Sequence, residues 1–237
     1  MSEPIRILST KKLKSGDRKS LSDAGFFVTE TDFIIINNKP FALSDIKNNL
    51  IFTSQNAVKA VCDHPDVQEI RRNPVFCVGE KTAQLLDEMG FTVLGSADYG
   101  SDLADLIVSD YPSEKFTFFC GNIRRDELPE KLKIANVDFN EIEVYETVLS
   151  PMKINSDIDG ILFFSPSAVD SFISQNEVID QICFCIGKTT ADHLLDVTNL
   201  DPAKIVVSKK PTISGTIDTC VYYYNNLPDF KNQRVQT

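Results

Sequence analysis

Short apolar runs recur along the chain, each followed by a polar turn and then by apolar positions at helical spacing, and this pattern predicts strand followed by helix many times over. The stretch Gly160–Ile173, GILFFSPSAVDSFI, holds the unit in its most compact form. Gly160–Phe164 has the length of a buried strand. Ser165 then Pro166 reads as a helix N-cap followed by the first helical position, where proline's missing N–H costs nothing. Ala168, Val169, Phe172 and Ile173 form one apolar face, so the helix packs on the sheet and points its N-terminus at the strand's carboxyl end. Leu50–Val61, LIFTSQNAVKAV, repeats the design, with Ser54 over Ser165 and Asn56 over Ser167.

Strands are predicted at Ile5–Thr10, Phe26–Ile36, Asn49–Ser54, Val75–Gly79 and Phe91–Ser96, with helices between them. The second half repeats the series at Phe116–Gly121, Val137–Leu149, Gly160–Ser165, Ile182–Gly187 and Lys204–Ser208. VFCVGEKTAQLL at 75–86 recurs as CFCIGKTTADHLL at 183–195, and the helical stripe Leu103, Leu106, Ile107 recurs as Ile217, Cys220, Val221. The chain therefore reads as two βα half-chains in tandem. Strand–helix alternation implies the α/β class, with doubly wound parallel sheets covered on both faces. Gly25 and Gly90 fall where helix C′ glycines belong, and Pro129 suits a first turn.

Two domain divisions satisfy the strand count: a sequential cut near residue 112, and a nested arrangement. The second strand of each half runs about eleven to thirteen residues, against ~5–6 for a typical strand, which favours nesting. In that reading residues 1–34 and 150–237 form one domain, 38–146 the other, and 33–38 with 143–150 a two-stranded ladder that acts as a hinge. The polar tail after Pro228 reads as loose.

Composition narrows the function classes. At 237 residues, 42% hydrophobic and 24% charged, the chain can build two modest cores. No segment approaches the ~20 apolar residues of a membrane span, and MSEPIRILSTKK is not a secretory signal, so the cytoplasm is the expected location. Cys77, Cys120, Cys183 and Cys185 sit in predicted buried strands without C-x-x-C spacing and read as reduced core residues. A net charge of −10 argues against a nucleic-acid binder. It also means that an anionic ligand must be held by local amides and a few cations, against the overall field.

In open α/β sheets ligands sit beyond the carboxyl ends of strands. The residues there are Ser9, Thr10 and Lys11; Ser54, Gln55 and Asn56; Gly79, Lys81 and Thr82; Gly121, Asn122 and Arg124; Ser165 and Ser167; and Gly187, Lys188, Thr189 and Thr190. Such loops expose backbone N–H groups and suit carboxylates or phosphates spread over a large ligand, although the same residue types cap helices without binding anything. Sharper motifs fail. Gly187-Lys188-Thr189 resembles the tail of a P-loop, but the upstream glycine falls on Ile182. No G-x-G-x-x-G follows a strand, and there is no G-x-S-x-G elbow or paired-aspartate pocket. His64 and His193 stand far apart without ligand spacing and read as solvated, so no metal site is expected. Tyr145, in a long strand whose alternation turns Val144 away from it, offers a phenol near the hinge that can donate a proton; packed in the strand with a wet hydroxyl, it would do nothing of the kind.

The set IFTSQNAV, VGEKTA, GNIRRDELPEKL with VYET at 144–147, FFSPSAVDSF and IGKTTA, in this order and spacing over nearly the whole chain, resembles the uroporphyrinogen-III synthase family. The resemblance implies two flavodoxin-like domains joined by a two-stranded ladder, with the active site in a cleft. It also implies a cofactor-independent lyase reaction. Hydroxymethylbilane loses its terminal hydroxyl as water, ring D inverts through a spiro intermediate, and the macrocycle closes to uroporphyrinogen III. By the same resemblance Tyr145 assists hydroxyl loss, Thr189 and Thr190 form a threonine pair in a glycine-led loop, and Ser54, Asn56, Gly121, Arg124, Ser165 and Ser167 are ligand-facing. Thr10, Lys11 and Lys188 complete the expected substrate contacts. Ser9-Thr10-Lys11-Lys12 departs from the Thr-Arg-Pro of many members but keeps a cation. A monomer is expected, with no nucleic-acid or membrane partner. The rival classes are a cytosolic two-lobed sensor that binds without turnover, and a flavoprotein, for which the first strand lacks a phosphate loop.

Overall fold

The computed structural model describes residues 4–226; the tail beyond Pro228, expected to be loose, lies outside them. The chain divides into two compact units. One takes the chain up to Ile35 and again from Leu149, and the other takes Ile36–Val148.

The first unit opens with β1 (Arg6–Ser9), α1 (Ser15–Asp23) and β2 (Phe27–Glu30), and resumes with β9 (Gly160–Phe163), α6 (Pro166–Ile173), β10 (Ile182–Cys185), α7 (Lys188–Val197), β11 (Ile205–Val207) and α8 (Ile213–Asn225). Its sheet has the order β11-β10-β9-β1-β2, parallel throughout. In the chain between, β3 (Ile34–Asn38) precedes β4 (Asn49–Phe52), α2 (Gln55–Cys62), β5 (Val75–Val78), α3 (Glu80–Glu88) and β6 (Val93–Ala97). α4 (Gly100–Asp110), β7 (Lys115–Gly121), α5 (Glu127–Ile134) and β8 (Asp138–Leu149) follow. The second sheet has the order β3-β8-β7-β4-β5-β6, and its five strands other than β3 pair in parallel.

In strand order, β6-β5-β4-β7-β8 and β11-β10-β9-β1-β2 are the same arrangement. The textual repeat equates β4 with β9 and β5 with β10, so β7 and β8 stand where β1 and β2 stand in the other sheet. The first two strands of each tandem half are thus exchanged: β1 pairs with β9 and β7 with β4. In chain order one sheet runs 2-1-3-4-5, the flavodoxin order, and the other is its circular permutation.

Each sheet is covered on both faces because its central strands alternate large apolar residues between two clusters. Leu8, Ile161, Phe163 and Cys183 pack under α6 and α7, whereas Ile7, Leu162 and Phe184 pack under α1 and α8. In the second unit Leu50, Phe52 and Phe119 face α2 and α3, and Ile51, Phe116 and Phe118 face α4 and α5. Burial on both faces is why these strands read as unbroken apolar runs.

One expectation is corrected. Phe26–Ile36 is not a single strand; it breaks at Thr31–Phe33 into β2 and β3, which belong to different sheets. The break is built in: Thr31 N and Phe33 N donate to Ser9 O and Thr10 O, both at 3.2 Å, and Asp32 Oδ1 accepts from Lys12 N at 2.9 Å. Phe33 is fully buried, 5.6 Å from the Phe172 ring. The counterpart, β8, does run unbroken for 12 residues.

Among the described residues no helix is long and apolar enough to cross a membrane. All six cysteines are free. Burial pushes the thiols of Cys77 and Cys120 up to about 11 and that of Cys185 to about 12. Unfolding returns them to 9.0. Above that pH the unfolded chain sheds protons that the folded chain keeps, so stability falls as pH rises. The urea midpoint is expected to drop steadily from about pH 9 to 11; a flat profile would mean that these thiols ionise in place.

Candidate active site

At the carboxyl ends of the second sheet, Ser54, Asn56, Gly121 and Tyr145 come together. Ser54 leaves β4 in an extended conformation and caps α2, its Oγ accepting from Asn56 N at 3.1 Å. Gly121 ends β7 beside Tyr145 of β8, and the register slips at this point. Cys120 pairs with Glu143, but Gly121 pairs with Tyr145, so Val144 is an extra residue. A bulge of this kind re-aims the side chain that follows it. Val144 and Tyr145 consequently join one buried cluster with Phe52, Ala57 and Phe119, which corrects the expectation that Val144 turns away from Tyr145. The tyrosine ring fills the space that a side chain at 121 would need: a Cβ there would lie 2.4 Å from Tyr145 Cζ and 2.8 Å from its hydroxyl oxygen. Tyr145 is 7% exposed. Burial raises its pKa above the ordinary value of 10.0, a hydrogen bond with Ser54 lowers it, and Cys120 raises it further.

Arg124 is engaged elsewhere. Its guanidinium pairs with Glu141 and Asp126 beside a cavity of about 380 Å³ that Cys120, Gly121, Asn122 and Glu143 also line. Burial works against its charge, and Glu141 and then Asp126 outweigh that and raise its pKa. An incoming carboxylate must therefore compete with two resident ones. Glu143 is itself paired with Lys39 at 2.6 Å. Asn122 ties the end of β7 to β8, accepting from Thr147 N at 2.7 Å and donating to Thr147 O at 3.2 Å.

The first unit presents the remaining expected residues at its own strand ends. Ser165 caps α6, accepting from Ala168 N at 3.1 Å with Pro166 at the first helical position, and Ser167 is buried in the first turn. Gly187 opens α7 without a side-chain cap, Lys188 pairs with Asp192 at 2.7 Å, Thr189 is exposed, and Thr190 is buried. Thr10 is buried, its amide and hydroxyl both donating to Leu162 O at 3.1 and 2.7 Å; Lys11 is exposed. The N-termini of α2, α6 and α7 thus lie at strand ends, where their first amides and positive dipole ends favour anions.

Ser165→Ala separates capping from ligand contact. Loss of the cap alone lowers stability by about 1 kcal/mol and leaves substrate KM unchanged, whereas a raised KM marks a ligand contact. Urea denaturation and steady-state kinetics on one preparation read both.

Sequence reasoning missed the carboxylates of Asp126 and Glu141 and the bulge at Val144. The R-x-D spacing at 124–126 was a usable signal; the bulge leaves none. His193 also differs from expectation: its Nε2 lies 2.6 Å from Asp170 Oδ1, so α6 and α7 are joined there by a side-chain contact. Among the described residues no group of His, Cys, Asp and Glu is disposed to hold a metal ion.

A family model described as uroporphyrinogen-III synthase HemD matches residues 18–218. The chain belongs to the uroporphyrinogen-III synthase family. Uroporphyrinogen-III synthase of Saccharomyces cerevisiae is 32% identical over 225 residues, covering 80% of each chain. Among solved structures, uroporphyrinogen-III synthetase from Helicobacter pylori 26695 matches 92% of this chain and 99% of its own with a TM-score of 0.68 at 19% identity. A mutant uroporphyrinogen III synthase from the extremely thermophilic bacterium Thermus thermophilus matches 90% and 96% with a TM-score of 0.66 at 13% identity. At those identities the structures speak for the fold, two parallel-sheet α/β domains, which the family shares with this chain.

Proposed function

We propose that the protein is a hydro-lyase of tetrapyrrole biosynthesis that converts hydroxymethylbilane into uroporphyrinogen III, with Tyr145 as its general acid. The observation that carries the role of Tyr145 is its placement: a buried phenol of β8 beside the carboxyl end of β7, protonated at neutral pH, with burial raising its pKa still further. The phenol proton goes to the terminal hydroxyl of the bilane, the carbon–oxygen bond breaks, and its electron pair leaves with water. The azafulvene that remains is attacked by the substituted carbon of ring D, and the spiro intermediate resolves to the inverted macrocycle. Holding the azafulvene in the folded geometry supplies most of the selectivity for that carbon.

The substrate carries eight carboxylates. Helix N-termini and their caps suit such a ligand in a protein of net charge −10, because they supply donors without a basic surface. In this reading Ser54, Asn56, Ser165, Ser167, Thr189 and Thr190 offer hydroxyls and amides. Lys11 and Lys188 offer cations, Thr10 supports its loop, and Arg124 exchanges a resident carboxylate for a substrate one. Residues 1–34 with 150–237 and residues 38–146 serve as the two domains. The linker runs through 33–38 and 143–150, a reading supported by β3 lying beside β8 with Lys39 N donating to Val144 O at 2.9 Å. Six free cysteines suit the cytoplasm. The enzyme works as a monomer without cofactor.

The test is isomer analysis of the product formed from freshly generated hydroxymethylbilane. Predominantly isomer III is expected. Isomer I at the spontaneous rate, from folded protein, would overturn the reading and favour a binding protein on this fold.

A further inference from the structure

We infer that Asp126 is the carboxylate that gives way when Arg124 takes one from the substrate, and that Glu141 stays to hold the guanidinium, so that Asp126 sets the affinity of this anchor. This rests on the proposed substrate with its eight carboxylates, and it names the exchange partner.

The two ion pairs use different nitrogens. Asp126 Oδ1 meets Nη1 and Glu141 Oε2 meets Nη2, and a planar guanidinium can keep one partner while the other is replaced. The two acids are held very differently: the side chain of Asp126 is 68% exposed and that of Glu141 24%. An exposed ion pair contributes little, because water solvates its ions well, whereas a largely shielded carboxylate that loses its partner is left poorly solvated. Water therefore replaces Arg124 at Asp126 at small cost. Asp126 is also placed for release. It stands before α5 without its side chain capping the helix, while its backbone oxygen accepts from Glu130 N at 2.8 Å. The carboxylate can swing while the loop stays, and the positive end of the helix dipole favours its charge throughout. Glu141 lies in the paired part of β8, opposite Phe118, with Lys133 Nζ at 3.6 Å as a second cation.

The cavity of about 380 Å³ at this cluster has room for a carboxylate arm but no spare positive charge. Asp126, Glu141 and Glu143 line it, and against them stand Arg124, Lys133 and Lys39. An incoming carboxylate must replace a resident one, and Asp126 is the less firmly held of the two on Arg124. The cavity also lies across the sheet from the phenol. Cys120 and Phe139 belong to the cluster under α4 and α5, and alternation along β8 puts Glu141 and Glu143 on that face, whereas Tyr145 packs under α2 and α3. An arm held here is gripped equally before and during the chemical step, so the exchange governs binding.

The experiment titrates the protein with uroporphyrin III, the stable oxidised form of the proposed product, which keeps all eight carboxylates, and follows porphyrin fluorescence. Asp126→Asn keeps the side chain's shape and removes its charge. It is expected to bind about threefold more tightly, the worth of an exposed ion pair, with a matching fall in KM. In an Arg124→Gln background, where Lys133 remains beside Glu141, the same substitution gains nothing. Glu141→Gln gains less than Asp126→Asn, because the charge it removes is offset by a guanidinium no longer held in place. A gain from Asp126→Asn that persists without Arg124 marks general repulsion and overturns the inference. So does a gain from Glu141→Gln as large as that of Asp126→Asn, or no gain from Asp126→Asn at all, including the case in which the parent binds no porphyrin. Isomer analysis on the same preparations keeps the two readings apart: should the parent make no isomer III while the binding cycle holds, the catalytic reading fails and the anchor stands.

Discussion

Tyr145→Phe is expected to slow formation of uroporphyrinogen III by about 10²-fold while leaving the KM for hydroxymethylbilane nearly unchanged. The substitution keeps the ring, and with it the packing on Gly121 and in the cluster of Phe52, Ala57 and Phe119. What goes is one proton donor. General acid catalysis contributes ~10²–10⁴, and the lower end applies where the held geometry of a reactive intermediate supplies the rest. The pH dependence follows from the same burial. An acid must be protonated to act, so activity falls as pH rises through its pKa, and desolvation places that of Tyr145 above 10.0. The parent enzyme is therefore expected to show no loss of kcat attributable to Tyr145 below about pH 10, and Tyr145→Phe to lack the limb above it. Stopped-flow product formation with isomer analysis measures both. An unchanged rate removes Tyr145 from the mechanism.

The fold was legible in the sequence wherever a rule of a few residues decides the structure. Ser165-Pro166 predicts a cap and a first turn from neighbouring residues alone, and both stand where expected. Gly25 and Gly90 take positive φ, 79° and 81°, where helices end. The continuous apolar strands were legible because both faces of each sheet are covered. The break at Thr31–Phe33 was not, since the pattern VTETDFIII at 28–36 does not distinguish one bent strand from two; Ser9 O, Thr10 O and Lys12 N make that decision from the neighbouring chain after β1. The site divides the same way. Helix-capping serines follow from local pattern, but the contact of Ser54 with Tyr145 joins residues 91 positions apart in sequence through a bulge that no residue type announces. Arg124 was recognisable as a cation at a strand end. That Glu141 on β8 neutralises it depends on the parallel register of β7 and β8, in which Phe118 meets Glu141.

Phe119→Ala should be the costliest single truncation in the core that carries Tyr145, lowering stability by about 3–5 kcal/mol. Phe119 lies in the middle of the second sheet, on β7 beside Phe52 of β4, and is fully buried. Its ring stacks on Phe52 at 5.2 Å and meets the edge of Phe41 at 6.3 Å, contacts that add to plain area burial. Truncation removes the shared wall of that aromatic group and leaves a cavity that the strands, pinned on both sides by backbone ladders, cannot close. Whole proteins of this kind are stable by about 5–15 kcal/mol, so the loss is a large fraction of what holds the fold. Phe119→Leu, which keeps most of the volume, should lose much less, and the pair of urea midpoints at constant m isolates the cavity from general disruption. Since Phe119 and Tyr145 share one cluster, Phe119→Ala is also expected to lower kcat in the fraction that stays folded, by letting the phenol move off Ser54. A loss of stability below about 1 kcal/mol would mean that Phe41 and Phe52 collapse into the gap and that the wall behind Tyr145 is soft.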